Sequence, residues 1–460
     1  MQVIMIIVCV CFAIFAYAVE KKFYNPVCIF CTVWALITFF TSLGLYGLYS
    51  VSGETYSILA LGTFCFSIGG FVAFSQRRQF TLSFNRENYR PLAKDKVEFI
   101  NYKFLHIFGL IILVYMVVQS IAVFTLFRSG QTLFDIRSAL QGYSDSSYVE
   151  QITALRGGNE SLWLRRIYDW IILPGFHSLV LITCIDMIVG NKDKLLLFLT
   201  LGNVLLKVYS EGTRVVIFHA VIYVLLLLFI FGKKSLLSRR TKRILRILII
   251  LGVLAIIIVS NVRLSTMKKS IGEEIYLYFC CCLPLLDKWV MALDASGTFT
   301  YGLASIYGLL VAPFRLLGHL GFPLEWLNNI QEILNNPETF VTIRSASYST
   351  GANAYTTLYY QFYSDGGLLG CALGAFLFGY ISGRIYVSFK KRILESRSYY
   401  RSLYLYLLMV NFIIMSFIRI NFCRVDFAHM ILFAFIMIKA ENPILSDSKE
   451  SNRQGTFRLR

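Results

Sequence analysis

The amino-acid sequence predicts an all-α polytopic membrane protein, and three observations predict it. The chain has 460 residues, 57% hydrophobic and only 15% charged, where a soluble chain of this length carries about 25% charged residues. Apolar runs long enough to cross about 30 Å of hydrocarbon recur along its whole length. The charges gather in short strips between those runs, where the positive-inside rule places cytoplasmic connections.

Taken in order, the apolar runs predict spans at roughly 3–19, 28–49, 56–75, 104–127, 168–190, 194–209, 213–232, 244–260, 366–388, 402–419 and 425–440, about 11 transmembrane helices. The first lacks a basic n-region and a small-residue cleavage site, so it is expected to be a retained helix and not a signal peptide. Three strips between spans are strongly basic. One carries Arg77, Arg78, Arg86, Arg90, Lys94, Lys96 and Lys103. A second carries Lys234, Arg239, Arg240, Lys242 and Arg243, and a third Lys390, Lys391, Arg392 and Arg397. Lys21–Lys22 and Lys192 with Lys194 mark two more. Placing all five in the cytoplasm gives one alternating topology, with the N-terminus outside and the C-terminus inside.

Residues 1–440 are therefore expected to form a single integral membrane domain, followed by a polar, Ser-rich cytoplasmic tail over 441–460 that is expected to be disordered. Two external segments are long, 128–166 and 261–365. The second contains apolar stretches near 275–286 and 301–317, short for spans. They read as interfacial or re-entrant helices, or as one more hairpin that raises the count to 13 and keeps the parity. No internal repeat of the kind built from inverted halves is visible. The formal net charge of +18 follows from this topology, and anionic headgroups, not nucleic acid, are its expected partner. Of the 11 cysteines, most lie in apolar runs as small packing residues. Cys28 and Cys31 form a CxxC with no second pair to complete a zinc site. Cys280–Cys282 is a run for which the sequence offers no physical account.

The chemistry is expected on the outer face. The first long loop carries Arg128, Arg137, Arg156, Arg165 and Arg166 and no lysine. The second carries Arg263, Arg315 and Arg344, and short outer turns add Arg214, Arg419 and Arg424. Guanidinium groups grip phosphate bidentately and stay charged at any relevant pH, so such a cluster suits a lipid-linked phosphate or diphosphate. Snorkelling to headgroups accounts for single arginines equally well. Arg214 opens a helix at the membrane boundary after Ser210-Glu211-Gly212-Thr213, where a charge is costly without a partner or a task, and Glu211 is the structural partner at hand.

Asp365 stands where the long loop re-enters the bilayer. It reads either as a helix cap or as a functional carboxylate. Tyr355, Tyr359, Tyr360 and Tyr363 form an aromatic band that suits an interface or the face of a sugar ring, and Gly370, Gly379 and Gly383 suit close helix packing. His319 is the histidine inside an external loop and a weaker candidate base; His177, His219 and His429 read as packing or helix-polar contacts. No phosphate-binding loop, dinucleotide fingerprint, HExxH or GxSxG elbow is present.

The span layout, the Gly212-Thr213-Arg214 at an outer helix start, and Tyr363-Ser364-Asp365-Gly366-Gly367-Leu368-Leu369-Gly370 after a long outer loop together resemble the bacterial O-antigen polymerase (Wzy) family. That family's last motif commonly has phenylalanine where Gly366 stands. An Arg-x10-Gly pattern described in some members is absent from the long loops, since Arg137 meets Tyr148 and Arg344 meets Tyr355. The resemblance implies a GT-C-type glycosyltransferase of the bacterial inner membrane, with its active face periplasmic and a large external loop. Such an enzyme moves a growing glycan from undecaprenyl diphosphate onto the terminal sugar of another lipid-linked repeat unit, building O-antigen or capsular polysaccharide. It implies undecaprenyl-diphosphate-linked glycans and membrane lipids as partners, admits a chain-length regulator protein, and needs no metal or cofactor. The candidate catalytic residues are Arg214, Asp365 and Arg344; those for substrate binding are Arg137, Arg315, Tyr355, Tyr363, Arg419 and Arg424. An O-antigen ligase shares the layout, a flippase or transporter is the alternative of another class, and a non-catalytic membrane scaffold would not need the arginine-rich outer face.

Overall fold

A computed structural model describes residues 1–76, 99–128, 166–211, 215–231, 270–345, 351–394 and 399–439. The first helices are α1 (Gln2–Glu20), α2 (Pro26–Ser42), α3 (Gly53–Ser75), α4 (Tyr102–Arg128), α5 (Leu173–Val189), α6 (Lys194–Glu211) and α7 (Val215–Phe231). Local chemistry sets their starts. Asn25 precedes Pro26 and accepts the Cys28 amide at 2.8 Å, and Ser52 accepts the Thr55 amide at 3.2 Å at the head of α3. Among the described residues, seven helices are long and apolar enough to cross a membrane. One, over 272–296, falls inside the segment 261–365 that the sequence reading expects to be external; the others coincide with spans read from the sequence. The expected spans at 28–49, 213–232 and 425–440 appear as shorter apolar helices, Pro26–Ser42, Val215–Phe231 and Val425–Met437. The expected span at 244–260, the tail over 441–460 and most of the first external segment lie outside the described residues.

Apolar side chains on the outside of the bundle show what surrounds it. Ile107, Leu110, Ile111, Val114, Val118 and Ile121 of α4 are each half-exposed or more, and so are Val3, Ile4, Ile7 and Ile14 of α1. Stripes of this kind belong against hydrocarbon, not water. The chain is a helical protein embedded in a membrane.

One end of the bundle gathers the residues that flank the basic strips. Glu20 meets Lys390 and accepts from the Tyr386 hydroxyl, Tyr400 donates to the Val189 carbonyl, and Arg401 donates to the Ile438 carbonyl. The opposite end carries the long segment from 270 onward. There α8 (Ile271–Cys280) and α9 (Cys282–Ser296) run on through Cys281, whose backbone stays helical, and Cys280, Cys281 and Cys282 are all buried. Then come α10 (Tyr307–Gly318), α11 (Glu325–Asn335), and an antiparallel pair β1 (Val341–Thr342) and β2 (Gly351–Ala352), with Val341 opposite Ala352.

The next helix, α12 (Thr357–Leu394), is two helices in one. At Gly366 and Gly367 the backbone leaves the helical region, and Gly367 has φ 60°, ψ −139°, a conformation that glycine adopts without strain. The chain doubles back there. The Cys371 thiol contacts the Tyr359 carbonyl at 3.6 Å, whereas a straight helix would hold residues twelve apart about 18 Å from one another. The sequence places a span from 366 with Asp365 at its head; the structure makes that span the second arm of a hairpin whose first arm is Thr357–Asp365. Chain end elements are α13 (Tyr400–Ile414), α14 (Val425–Ala428) and α15 (Met430–Met437).

The second arm of α12 packs on α3 through glycine. A Cβ added to Gly69 would lie 2.1 Å from the Phe376 carbonyl oxygen, and one on Gly379 would lie 2.1 Å from that of Phe66. In a membrane, where lipid is as apolar as leucine, close backbone approach of this kind supplies much of the packing energy. Gly69→Val and Gly379→Val are expected to lower stability by about 1–3 kcal/mol and to reduce the detergent-solubilised folded yield. Gly53→Ala, whose new Cβ meets nothing nearer than 3.8 Å, serves as the neutral control in a thermal-melting assay.

Candidate functional site

Three arginines that are distant in sequence converge on one cavity of about 570 Å³ at the end of the bundle opposite the basic strips. Arg166 stands at the head of the α5 region, Arg315 in the last turn of α10, and Arg424 just before α14. Asp169 and Asp426 share the wall with them, so guanidinium groups outnumber carboxylates. Each arginine is aimed by a neighbour. Arg424 makes a bidentate pair with Asp426, Nε to Oδ1 at 3.0 Å and Nη2 to Oδ2 at 2.8 Å. Arg315 donates from Nη2 to Gln331 Oε1 at 2.6 Å, an amide that orients the group without neutralising it; the Tyr307 hydroxyl donates to the same oxygen at 3.2 Å. Arg166 stacks over the Trp170 ring, 5.8 Å from its centroid, and its Nη1 donates to His319 Nε2.

The residues Tyr168–Ile172 form a π-helical turn rather than an α-helical one, and that turn carries Asp169 and Trp170 into the cavity. Single π turns inside α-helices recur at functional sites, since the extra residue re-aims neighbouring side chains. Beneath the cavity, Asp426 lies 3.8 Å from His177 Nε2. His219 Nδ1 is 2.9 Å from Asn411 Oδ1, and the Asn411 amide donates to the Tyr223 hydroxyl at 3.1 Å. His429 Nδ1 is 2.9 Å from the Trp170 carbonyl. Cys423 also lines the cavity, but burial pushes its thiol up to about 11, which keeps it protonated and a poor nucleophile at neutral pH. Among the described residues no group of His, Cys, Asp and Glu is arranged to hold a metal ion.

The structure brings Arg315 and Arg424 together, and the other candidates among the described residues lie elsewhere. Arg344 is buried and pairs with Glu273 at 2.7 Å, tying the strand segment to α8. Arg419 pairs with Glu338 at 2.5 Å. Tyr355 sits in an aromatic cluster with Tyr278 and Phe417, and the Tyr363 hydroxyl donates to Asp294 Oδ1 at 2.7 Å. Arg137 and Arg214 lie outside the described residues. Asp169 and Asp426 were not singled out by sequence reasoning. Asp426 had a visible signal, an aspartate two residues after an arginine at an expected span's start.

Asp365 has a defined set of partners. Its Oδ1 accepts the Thr300 hydroxyl at 2.6 Å and the Ala304 amide at 2.9 Å; its Oδ2 accepts the Ser305 amide at 3.2 Å and the Ser305 hydroxyl. With two donors on each oxygen, a substrate hydroxyl would have to displace one of them. The carboxylate clamps residues 300–305 onto the tip of the α12 hairpin.

Comparison with protein families, characterised proteins and solved structures returns no match. The fold and its site define an integral membrane protein with a cationic cavity at one end of the helical bundle.

Two substitutions separate clamping from proton transfer at Asp365. As a clamp, Asp365→Asn keeps acceptor capacity on one oxygen and is expected to cost about 1–2 kcal/mol of stability while retaining most activity. Asp365→Ala orphans every donor and costs more. Proteolysis within 297–306 and melting temperature read the first effect. An Asn variant as inactive as Ala, but melting like wild type, would instead identify a proton-transfer group.

Proposed function

We propose that this chain is a membrane glycosyltransferase that polymerises undecaprenyl-diphosphate-linked oligosaccharide repeat units into O-antigen or capsular polysaccharide. Its active face is the periplasmic side of a bacterial inner membrane. The observation that carries the reading is the convergence of Arg166, Arg315 and Arg424 on one cavity outside the bundle. A diphosphate has the charge and the paired oxygens that three guanidinium groups grip.

In this mechanism an acceptor sugar hydroxyl attacks the anomeric carbon of the donor glycan. The carbon–oxygen bond to the diphosphate breaks, and its electron pair leaves on the diphosphate oxygen. Arg315 and Arg424 stabilise that developing charge in a site partly shielded from water. Asp169, on the wall of the same cavity, takes the hydroxyl proton. Both substrates are anchored by their lipids in one plane, so proximity supplies a large share of the rate. Undecaprenyl-linked glycans and membrane lipids are the partners this requires, and a chain-length regulator protein is compatible with it.

A second reading has one observation in its favour. His319 sits at the tip of α10 in contact with Arg166, and a histidine in an outer loop is what the O-antigen ligase alternative would use.

Deleting the gene in its host and running the surface polysaccharide on a gel tests both. A single-repeat cap with the ladder lost supports polymerisation; absence of any glycan on lipid A–core, with long lipid-linked chains accumulating, supports the ligase. Repeat units trapped on the cytoplasmic side would point to a flippase and overturn both. Complementation with Arg315→Ala or Arg424→Ala is expected to reduce polymer formation by about 100-fold or more, the size of losing one preorganised charge-stabilising donor. The lysine variants are expected to recover part of it, since they restore charge without the bidentate fork.

A further inference from the structure

A second cavity of about 570 Å³ lies beside the arginine cavity, and its chemistry is different. Its walls are aromatic: Trp289 on α9, Trp326 on α11, Phe299 and Tyr301 at the mouth, and Tyr360 behind. Polar groups ring these faces, namely Ser296, Thr298, Asn329, Glu332 and Asn336. Among the described residues no lysine, arginine or histidine lines it, so an anion finds no partner in these walls and is repelled by Glu332. A purely apolar ligand would leave the amides and the carboxylate without partners. The ligand that matches both features is neutral, with flat C–H faces and hydroxyl groups at its edges. Each such hydroxyl donates to a carboxylate and exchanges hydrogen bonds with an amide, while its ring face lies on indole or phenol.

The mouth of the cavity is held open at a conformational cost. Tyr301 is 85% exposed and has φ 53°, the left-handed region that a bulky residue rarely occupies. Its amide donates to the Asp365 carbonyl at 3.0 Å, and the Asp365 carboxylate fixes the residues on either side. The α12 hairpin tip thus presents a large aromatic face to the outside. Helix α11 is the wall common to the two cavities. Asn329, Ile330 and Ile333 face this one, and Gln331, which holds Arg315, faces the other.

We propose that this aromatic cavity is an oligosaccharide-binding site, seating the sugars of a substrate whose diphosphate lies across α11 at the arginine cavity. The pairing with a diphosphate rests on the polymerase reading; the binding of sugar does not, and the test separates them.

The probe is a set of neutral oligosaccharides of three to six sugars, cleaved from the host's surface polysaccharide and free of lipid and phosphate. They are titrated calorimetrically into the full chain in lipid nanodiscs. The expected result is saturable binding that weakens at least tenfold in Trp326→Ala and several-fold in Asn329→Ala, while Arg315→Ala stays within twofold of wild type. Asn329 is exposed, so its variant reports on the cavity even if Trp326→Ala, which also removes an edge contact to Phe314, does not fold. No binding by the wild type, or unchanged binding in Asn329→Ala and in a folded Trp326→Ala, would overturn the assignment. If the variants lose sugar binding and yet the gene deletion leaves the polysaccharide ladder intact, the cavity stands as a glycan site and the polymerase reading falls. A deletion that loses the ladder, in a protein that binds no sugar, has the opposite meaning.

Discussion

A helix that reverses inside a membrane protein must find partners for the backbone groups it frees, because hydrocarbon offers none. The reversal of α12 at Gly366–Gly367 meets that demand with the segment between α9 and α10. The Ser364 carbonyl accepts the Thr300 amide at 2.8 Å and the Asp365 carbonyl accepts that of Tyr301 at 3.0 Å, while the Asp365 side chain takes up Thr300, Ala304 and Ser305. Much of the architecture at this end of the bundle follows from this junction. It fixes the lip of the aromatic cavity directly. It also fixes where α10 begins, and so where Arg315, in the last turn of that helix, meets Arg424. A side chain that reads from sequence as a catalytic candidate is thereby the point where the outer segment is fastened to the bundle.

The arginines at this end of the bundle divide by what faces them. Arg344 and Arg419 each meet a carboxylate, Glu273 and Glu338, and both pairs join segments far apart in the chain. Burying a charge as deeply as that of Arg344 is tolerable only with such a partner, and breaking the pair would leave an uncompensated charge. Around the arginine cavity the balance is different. Arg424 has Asp426, but Arg315 is held by an amide oxygen and Arg166 by an imidazole and an indole face. For Arg315 the orienting partner is an amide, which leaves its charge in place, as an anion site requires.

The bundle interior supports the cavity end in a way suited to lipid. Gly69 and Gly379 bring two helices to backbone contact, and polar side chains pair within the core, as Tyr404 does with Ser178 at 2.8 Å and Thr183 with Thr200 at 2.7 Å. The polar line from Asp426 through His177 toward His219, Asn411 and Tyr223 runs from the floor of the arginine cavity into that core. Its members lie on α5, α7, α13 and α14, so the cavity floor rests on helices from both halves of the chain.

The all-helical membrane fold was legible in the sequence because hydrophobic length and basic strips are local properties, and hydrocarbon thickness reads them directly. The arginines between the apolar runs were visible in the sequence too, since charge is read residue by residue. The hairpin in α12 was not: Asp365-Gly366-Gly367 is equally consistent with a helix cap, and the choice depends on Tyr359 and Cys371 meeting across the turn. Nor could the sequence sort Arg344 from Arg424, because each role is set by a partner from another part of the chain. Glu273 lies 71 residues away from Arg344, whereas Arg166, Arg315 and Arg424 share a cavity only once α10 and α11 have folded across the end of the bundle. The sequence alone determined that this is a membrane-embedded helical protein with its charge gathered between apolar runs. Which charges neutralise one another and which face a common cavity was decided by tertiary structure, because electrostatic partnership depends on distance in space and not on separation along the chain.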